Sequence, residues 1–206
     1  MTRLYAALAA LLAVALLASA AALAFWPRGG DPFAQCRSGV VAGGAGAIGG
    51  PFTLVDAHGR TVTDAEVFTR PALVYFGYTF CPDVCPFDVL RNAEAVDILA
   101  ELGHAVTPVF ITVDPARDTP EVLADFAANM HPRMIALTGT PEQVRAAAQA
   151  YRVYFRAQEG DPQFYLVDHS TFTYLVLPQV GFVEFFRRDL APDSMAQRVA
   201  CFLEAA

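Results

Sequence analysis

Two cysteines four positions apart, set between an apolar run and a helix-forming stretch, constrain this chain more than any other feature. The segment reads Tyr75-Phe76-Gly77-Tyr78-Thr79-Phe80-Cys81-Pro82-Asp83-Val84-Cys85-Pro86. The run from Ala72 to Phe76 is short, aliphatic and aromatic, the pattern of a buried strand. Pro86 suits the first turn of a helix, where a missing N–H costs nothing. From Phe87 to Leu102, strong helix formers carry apolar residues at Leu90, Ala93, Val96, Ile98 and Leu99, an amphipathic spacing. Both thiols therefore belong to a strand-to-helix junction, where the positive end of the helix dipole favours thiolate. Two thiolates on one loop make a soft site for Cu(I) or zinc, or a reversible disulfide.

Around this junction, strands and helices alternate. Residues 52–63 read as a hairpin whose Gly-containing turn holds His58, a solvated turn residue. After the cysteine helix, Gly103-His104 marks a helix end, where a histidine interacts well with the dipole. Val106 to Val113 is the next strand. Thr119-Pro120 then opens a helix to about Met130. His131-Pro132 reads as a surface turn before a short strand at Met134 to Leu137. Thr140 and Gln143 form a capping box for a helix ending near Tyr151. Val153 to Arg156 and Phe164 to Val167 are strand-like, and Asp168-His169-Ser170 follows. Thr171 to Leu177 and Val180 to Phe186 form an apolar hairpin, and Pro192 to Leu203 is a last helix. A hairpin, β-α-β-α, a second hairpin and a final helix is the order of a thioredoxin-like α/β domain, with a mixed central sheet flanked by helices.

The N-terminal part is different. Leu4 to Trp26 is 23 residues without a charge, long enough to span a bilayer as a helix with Trp26 at the interface. Ala18-Ser19-Ala20 resembles a signal cleavage site, but a signal peptide's apolar region is only about 7–15 residues long. We therefore expect one uncleaved transmembrane helix at residues 4–26, with residues 1–3 cytoplasmic. The soluble part then lies outside the cytoplasm, which for a bacterial chain means an inner-membrane anchor and a periplasmic domain. Residues 27–50, rich in glycine, read as a flexible linker, and 51–206 as the folded domain. The net charge of −7, with no lysine at all, excludes the basic stripe of a nucleic-acid binder.

Four cysteines are too few for a disulfide scaffold. Cys36 and Cys201, near the two ends of the soluble part, are candidates for a structural disulfide in an oxidising compartment; nothing in the sequence gives their distance. Cys81 and Cys85 need a third ligand for a closed metal site. His169 stands in a polar trio between two apolar segments. In a thioredoxin-like fold the loop before the last hairpin faces the N-terminus of the first strand's helix. A Cys81, Cys85, His169 set would suit copper, or zinc with a fourth ligand. Asp114 ends the strand beside the cysteine-bearing one and is a candidate accessory group, although a simple turn explains it equally well.

Three segments together resemble the Sco/SenC copper-binding proteins: Tyr75 to Pro86, Thr112-Val113-Asp114-Pro115-Ala116-Arg117-Asp118-Thr119-Pro120, and Tyr165-Leu166-Val167-Asp168-His169-Ser170. The resemblance runs from about Pro51 to Leu203. It implies a thioredoxin-like fold, copper as Cu(I) and also Cu(II), and Cys81, Cys85 and His169 as its ligands, with Asp114 accessory. It further implies a membrane-anchored metallochaperone for the dinuclear copper centre of cytochrome c oxidase. Its partners would be the subunit that carries that centre and other copper chaperones. It does not explain Cys36 and Cys201. Two other functions fit the same residues. One is a thiol-disulfide oxidoreductase in which Cys81 and Cys85 are the redox-active pair; the other is a redox or copper sensor.

Overall fold

The computed structural model describes residues 5, 11–19, 31–37, 39, 45–161 and 163–206. Residues 11–19 are helical. The rest of the expected membrane segment, apart from residue 5, lies outside the described residues. Among the described residues no helix is long and apolar enough to cross a membrane. The compact unit that carries the site runs from Cys36 to Ala206, and so takes in residues read from sequence as linker. A single 3-10 turn at Ala45–Ala47 precedes the first strand.

The core is a seven-stranded mixed sheet. Its strands are β1 (Thr53–Asp56), β2 (Thr61–Thr63), β3 (Ala72–Gly77), β4 (Thr107–Thr112), β5 (Ile135–Thr138), β8 (Thr173–Leu177) and β9 (Gly181–Phe186), in the order β2-β1-β5-β4-β3-β8-β9. The central trio β3, β4 and β5 is parallel, and hairpins close both sides antiparallel. All six residues of β3 are buried, as expected of a strand covered on both faces.

The helices are α1 (Asp64–Val67), α2 (Val84–Glu101), α3 (Pro120–Met130), α4 (Pro141–Ala150) and α5 (Pro192–Glu204). Helix α2 packs between α5 and α3 on one face of the sheet, with the Tyr75, Phe110 and Phe126 rings beneath them. On the other face Phe76, Tyr151, Tyr174 and Phe182 form a chain of ring contacts. Alternation along β3 sends Tyr75 and Phe76 to opposite sides. The Thr140–Gln143 capping box forms as expected. A second box, Thr63 with Glu66, starts the short helix α1, which the hydrophobic pattern is too brief to reveal.

Two strands stand apart from the main sheet. β6 (Phe155–Ala157) and β7 (Val167–His169) pair antiparallel as an isolated ribbon, with Phe155 opposite His169. One expectation is corrected in part: His131 does open a turn, its carbonyl accepting the Met134 N–H at 3.0 Å, but its side chain is not at the surface. It is 5% exposed, with Nε2 3.1 Å from Asp97 Oδ1 and Nδ1 accepting from the Arg133 N–H. Those partners make burying the ring tolerable. The other two histidines stay as read, His58 exposed in its turn and His104 partly buried after α2.

Candidate metal centre

The junction after β3 brings both thiols to one place. Helix α2 begins at Val84, two residues before Pro86, so Cys81 lies in the preceding turn and Cys85 in the first helical turn. The N-cap residue, Asp83, makes no side-chain cap. Instead Cys81 Sγ accepts the backbone N–H of Cys85 at 3.4 Å, so the sulfur takes one of the donors that a helix start leaves free. Both thiols are free and buried, at 7% and 1% exposure.

Their environments push them apart. Burial opposes ionisation of Cys81, but backbone N–H groups of Cys85 and Asp83 outweigh it and hold this thiol below its ordinary value. Burial pushes the Cys85 thiol well up, and the neighbouring Cys81 sulfur adds to the rise. Of the two, Cys81 is the one poised as thiolate.

His169 completes the group, its Nε2 3.2 Å from Cys85 Sγ. Its Nδ1 lies 2.9 Å from the Ser170 carbonyl. A carbonyl only accepts, so Nδ1 carries the proton and the Nε2 lone pair points at the thiols. Burial also lowers the histidine's pKa, favouring the neutral ring that a metal ligand must be. Tyr75 and Tyr78 meet the imidazole edge to face, with centroids 6.1 and 5.9 Å away. The ligand atoms of Cys81, Cys85 and His169 all lie within 4.8 Å of one another, and among the described residues they are the one such cluster of metal-ligating side chains.

The surrounding polar groups support this cluster. Tyr75 donates to buried Asp88 at 3.0 Å, and Asp88 sits 3.8 Å from both Arg91 and Arg188. Asp118, fully buried, accepts from the Thr79 N–H and hydroxyl and from the Thr112 hydroxyl. It thereby anchors the loop two residues before Cys81. Burial raises the Asp118 carboxyl's pKa against those hydrogen bonds. Asp114 bonds Arg117 and Tyr165; its carboxylate is engaged there, and it is not in the thiol–imidazole cluster. Sequence reasoning missed Tyr75, Asp88, Arg117 and Asp118 as supporting residues. The available signals were that Tyr75, Arg117 and Asp118 lie in segments that carry the family resemblance, and that Asp88 places a charge in a largely apolar stretch.

Cys36 and Cys201 form a disulfide, with Cα atoms 5.7 Å apart. It joins the stretch before β1 to α5.

A sequence model of the SCO1/SenC family matches residues 41–204. The chain is 57% identical over 203 residues to Protein SenC of Rhodobacter capsulatus, covering 97% of this chain and 90% of that protein. It is 41% identical over 157 residues to the mitochondrial Protein SCO1 homolog 1 of Arabidopsis thaliana, covering 76% of this chain but only 47% of that longer protein. Among solved structures, Arabidopsis thaliana ScoI with copper bound superposes with a TM-score of 0.75 at 40% identity, over 78% of this chain and all of that one. This chain belongs to the SCO1/SenC family.

Proposed function

We propose that Cys81, Cys85 and His169 bind one copper ion, and that the chain is a metallochaperone for the dinuclear copper centre of cytochrome c oxidase. The observation that carries this reading is the convergence of two soft sulfurs and one imidazole Nε2 within 4.8 Å. Thiolates suit Cu(I), and the added imidazole extends the set to Cu(II). Copper here is cargo. The Cys81 thiolate is the natural point of exchange with a partner's thiolates, while Cys85 sits deeper, at 1% exposure against 7%. Asp114 is accessory to this site. An inner-membrane anchor at residues 4–26 and a periplasmic domain complete the reading. The Cys36–Cys201 disulfide favours such an oxidising compartment.

The test is an anaerobic copper titration of the reduced protein against Cys81→Ser/Cys85→Ser. We expect one tightly bound copper per chain, lost in the variant. Equal binding by both proteins would sink the reading.

A second reading draws on the opposed pKa shifts of the thiols. The Cys81 thiolate would attack a partner disulfide, and Cys85, losing its proton, would resolve the mixed disulfide. The pair would end oxidised and the partner reduced to two thiols. Rapid cycling of a Cys81–Cys85 disulfide in a protein without tight copper binding would favour it.

A further inference from the structure

His169 is the ligand whose position the main sheet does not fix. It ends β7, a three-residue strand whose one ladder partner among the described residues is the equally short β6. The sequence leading into β7 is exposed, Phe164 at 71% and Leu166 at 42%. Such a two-stranded ribbon is marginal by itself. Yet the Nε2 atom lies 3.2 Å from Cys85 Sγ, so something else holds the ribbon against α2.

The turn after β4 does this. The Arg117 guanidinium stacks on Tyr165 at 3.7 Å from the ring centroid, and lies 4.9 Å from that of Phe80 and 5.7 Å from that of Tyr78. Tyr78 and Phe80 belong to the cysteine loop; Tyr165 belongs to the run into β7. The two oxygens of Asp114 are divided between the same partners. Arg117 Nε donates to Oδ2 at 2.5 Å, and the Tyr165 hydroxyl donates to Oδ1 at 2.6 Å. Arg117 Nη1 reaches the Gln163 carbonyl at 3.5 Å. Its Nη2 is buried with no hydrogen-bond partner. Aromatic faces surround the guanidinium instead, a placement that suits a planar, weakly hydrated cation better than a strongly hydrated ammonium. The Val167 N–H donates to the Tyr78 hydroxyl at 3.3 Å, a second tie between the loops, two residues before His169. On its far side the same turn holds the cysteine loop through Asp118 and Thr79.

We propose that Arg117 is a positioning residue. Clasped between Asp114 and the rings of Tyr165, Phe80 and Tyr78, it sets the approach of His169 to the two thiols. This rests on the copper reading above. Arg117 touches neither thiol nor imidazole; it acts by locking the segment that carries the imidazole to the loop that carries the sulfurs. Releasing it frees His169 while leaving Cys85 on α2 and Cys81 in the turn before it, which Asp118 still holds through Thr79. The predicted consequence is selective: Cu(II), which needs the imidazole nitrogen, suffers more than Cu(I), which the thiolates hold.

The test uses the full chain in four forms: wild type, His169→Ala, Asp114→Asn/Arg117→Met and Tyr165→Phe. Removing the two opposite charges together avoids stranding a buried carboxylate. Cu(II) is added, and imidazole nitrogen coupling is read by electron paramagnetic resonance; Cu(I) and Cu(II) affinities are measured by competition. We expect the double variant to keep one Cu(I) per chain. It should lose most of the nitrogen coupling and weaken Cu(II) binding by about 10- to 100-fold, the usual cost of removing an outer-shell partner. A folded double variant with wild-type coupling and Cu(II) affinity overturns the proposal. If it does not fold, Tyr165→Phe decides, since it keeps the ring stack and removes one hydrogen bond to Asp114. A severalfold loss of Cu(II) affinity then supports the clasp, and no change overturns it. If wild type and His169→Ala give the same spectrum, the copper ligand set itself is wrong and the clasp falls with it.

Discussion

Cys36 and Cys201 stand 165 residues apart in sequence and are bonded; Cys81 and Cys85 stand four apart and are free. Surroundings account for the contrast. The distant pair bonds the stretch before β1 to α5 and closes a long loop. The near pair sits at a helix start, where backbone donors favour charge on one sulfur and burial keeps the proton on the other. One pair is a staple, the other a reactive site. The difference lies in which backbone groups and which neighbours each sulfur meets.

The strongest way to break this contrast is to remove the staple. Cys36→Ser/Cys201→Ser should lower unfolding free energy by about 2–4 kcal/mol, measured by urea denaturation, with copper stoichiometry unchanged. Loss of copper binding in a folded variant would mean that the two pairs are coupled.

A smaller effect is expected at Gly77, where β3 runs into the cysteine loop. A Cβ there would lie 2.8 Å from Tyr75, 3.1 Å from Phe110 and 3.2 Å from Cys85 Sγ. Gly77→Ala should cost about 1–3 kcal/mol by overpacking, seen in the same melts. It should also displace Cys85 and leave Cys36–Cys201 intact. Wild-type stability would show that the backbone yields freely at this point.

The gentlest test sharpens the contrast within the near pair. In the reduced, metal-free protein, the half-point for Cys81 alkylation should fall below that of an ordinary thiol, because its folded pKa is depressed. That of Cys85 should lie above it, because its own is raised. At neutral pH, iodoacetamide followed by peptide mass mapping should label Cys81 first and Cys85 slowly. Labelling of Cys85 first would reverse the assignment of the exchanging thiol.

Much of this was legible in the sequence because it is local. The buried strand before Cys81, the Thr119-Pro120 start and the Thr140–Gln143 box each depend on neighbours within a few residues. The thioredoxin-like order followed from their sequence. What stayed hidden depends on distant partners. Both strands of the β6–β7 ribbon read as strand-like, but the second starts later than expected, at Val167, and the pairing that sets Phe155 opposite His169, apart from the main sheet, is not written in either segment. His131 opens the turn that the sequence suggests, but its burial is plain only when Asp97, on α2, is seen beside it. Arg117 carries no assigned role in its segment; only the fold surrounds it with three rings. The Thr63–Glu66 box was visible and went unread, because the apolar run behind it spans a single turn.

The stretch held by Cys36 has one more effect. Arg37 donates to the Val183 carbonyl of β9, and Gly49, at φ 86°, lies against Phe182. β9 is the last strand of the sheet, and an uncovered terminal strand is a template for pairing with another chain. At the opposite rim, β2 avoids this by being only three residues long. β9 has six residues and an apolar run, so it needs a cover, and the segment stapled to α5 provides one. The disulfide thereby pins a partial cover over β9, leaving less of that rim open to pairing with another strand.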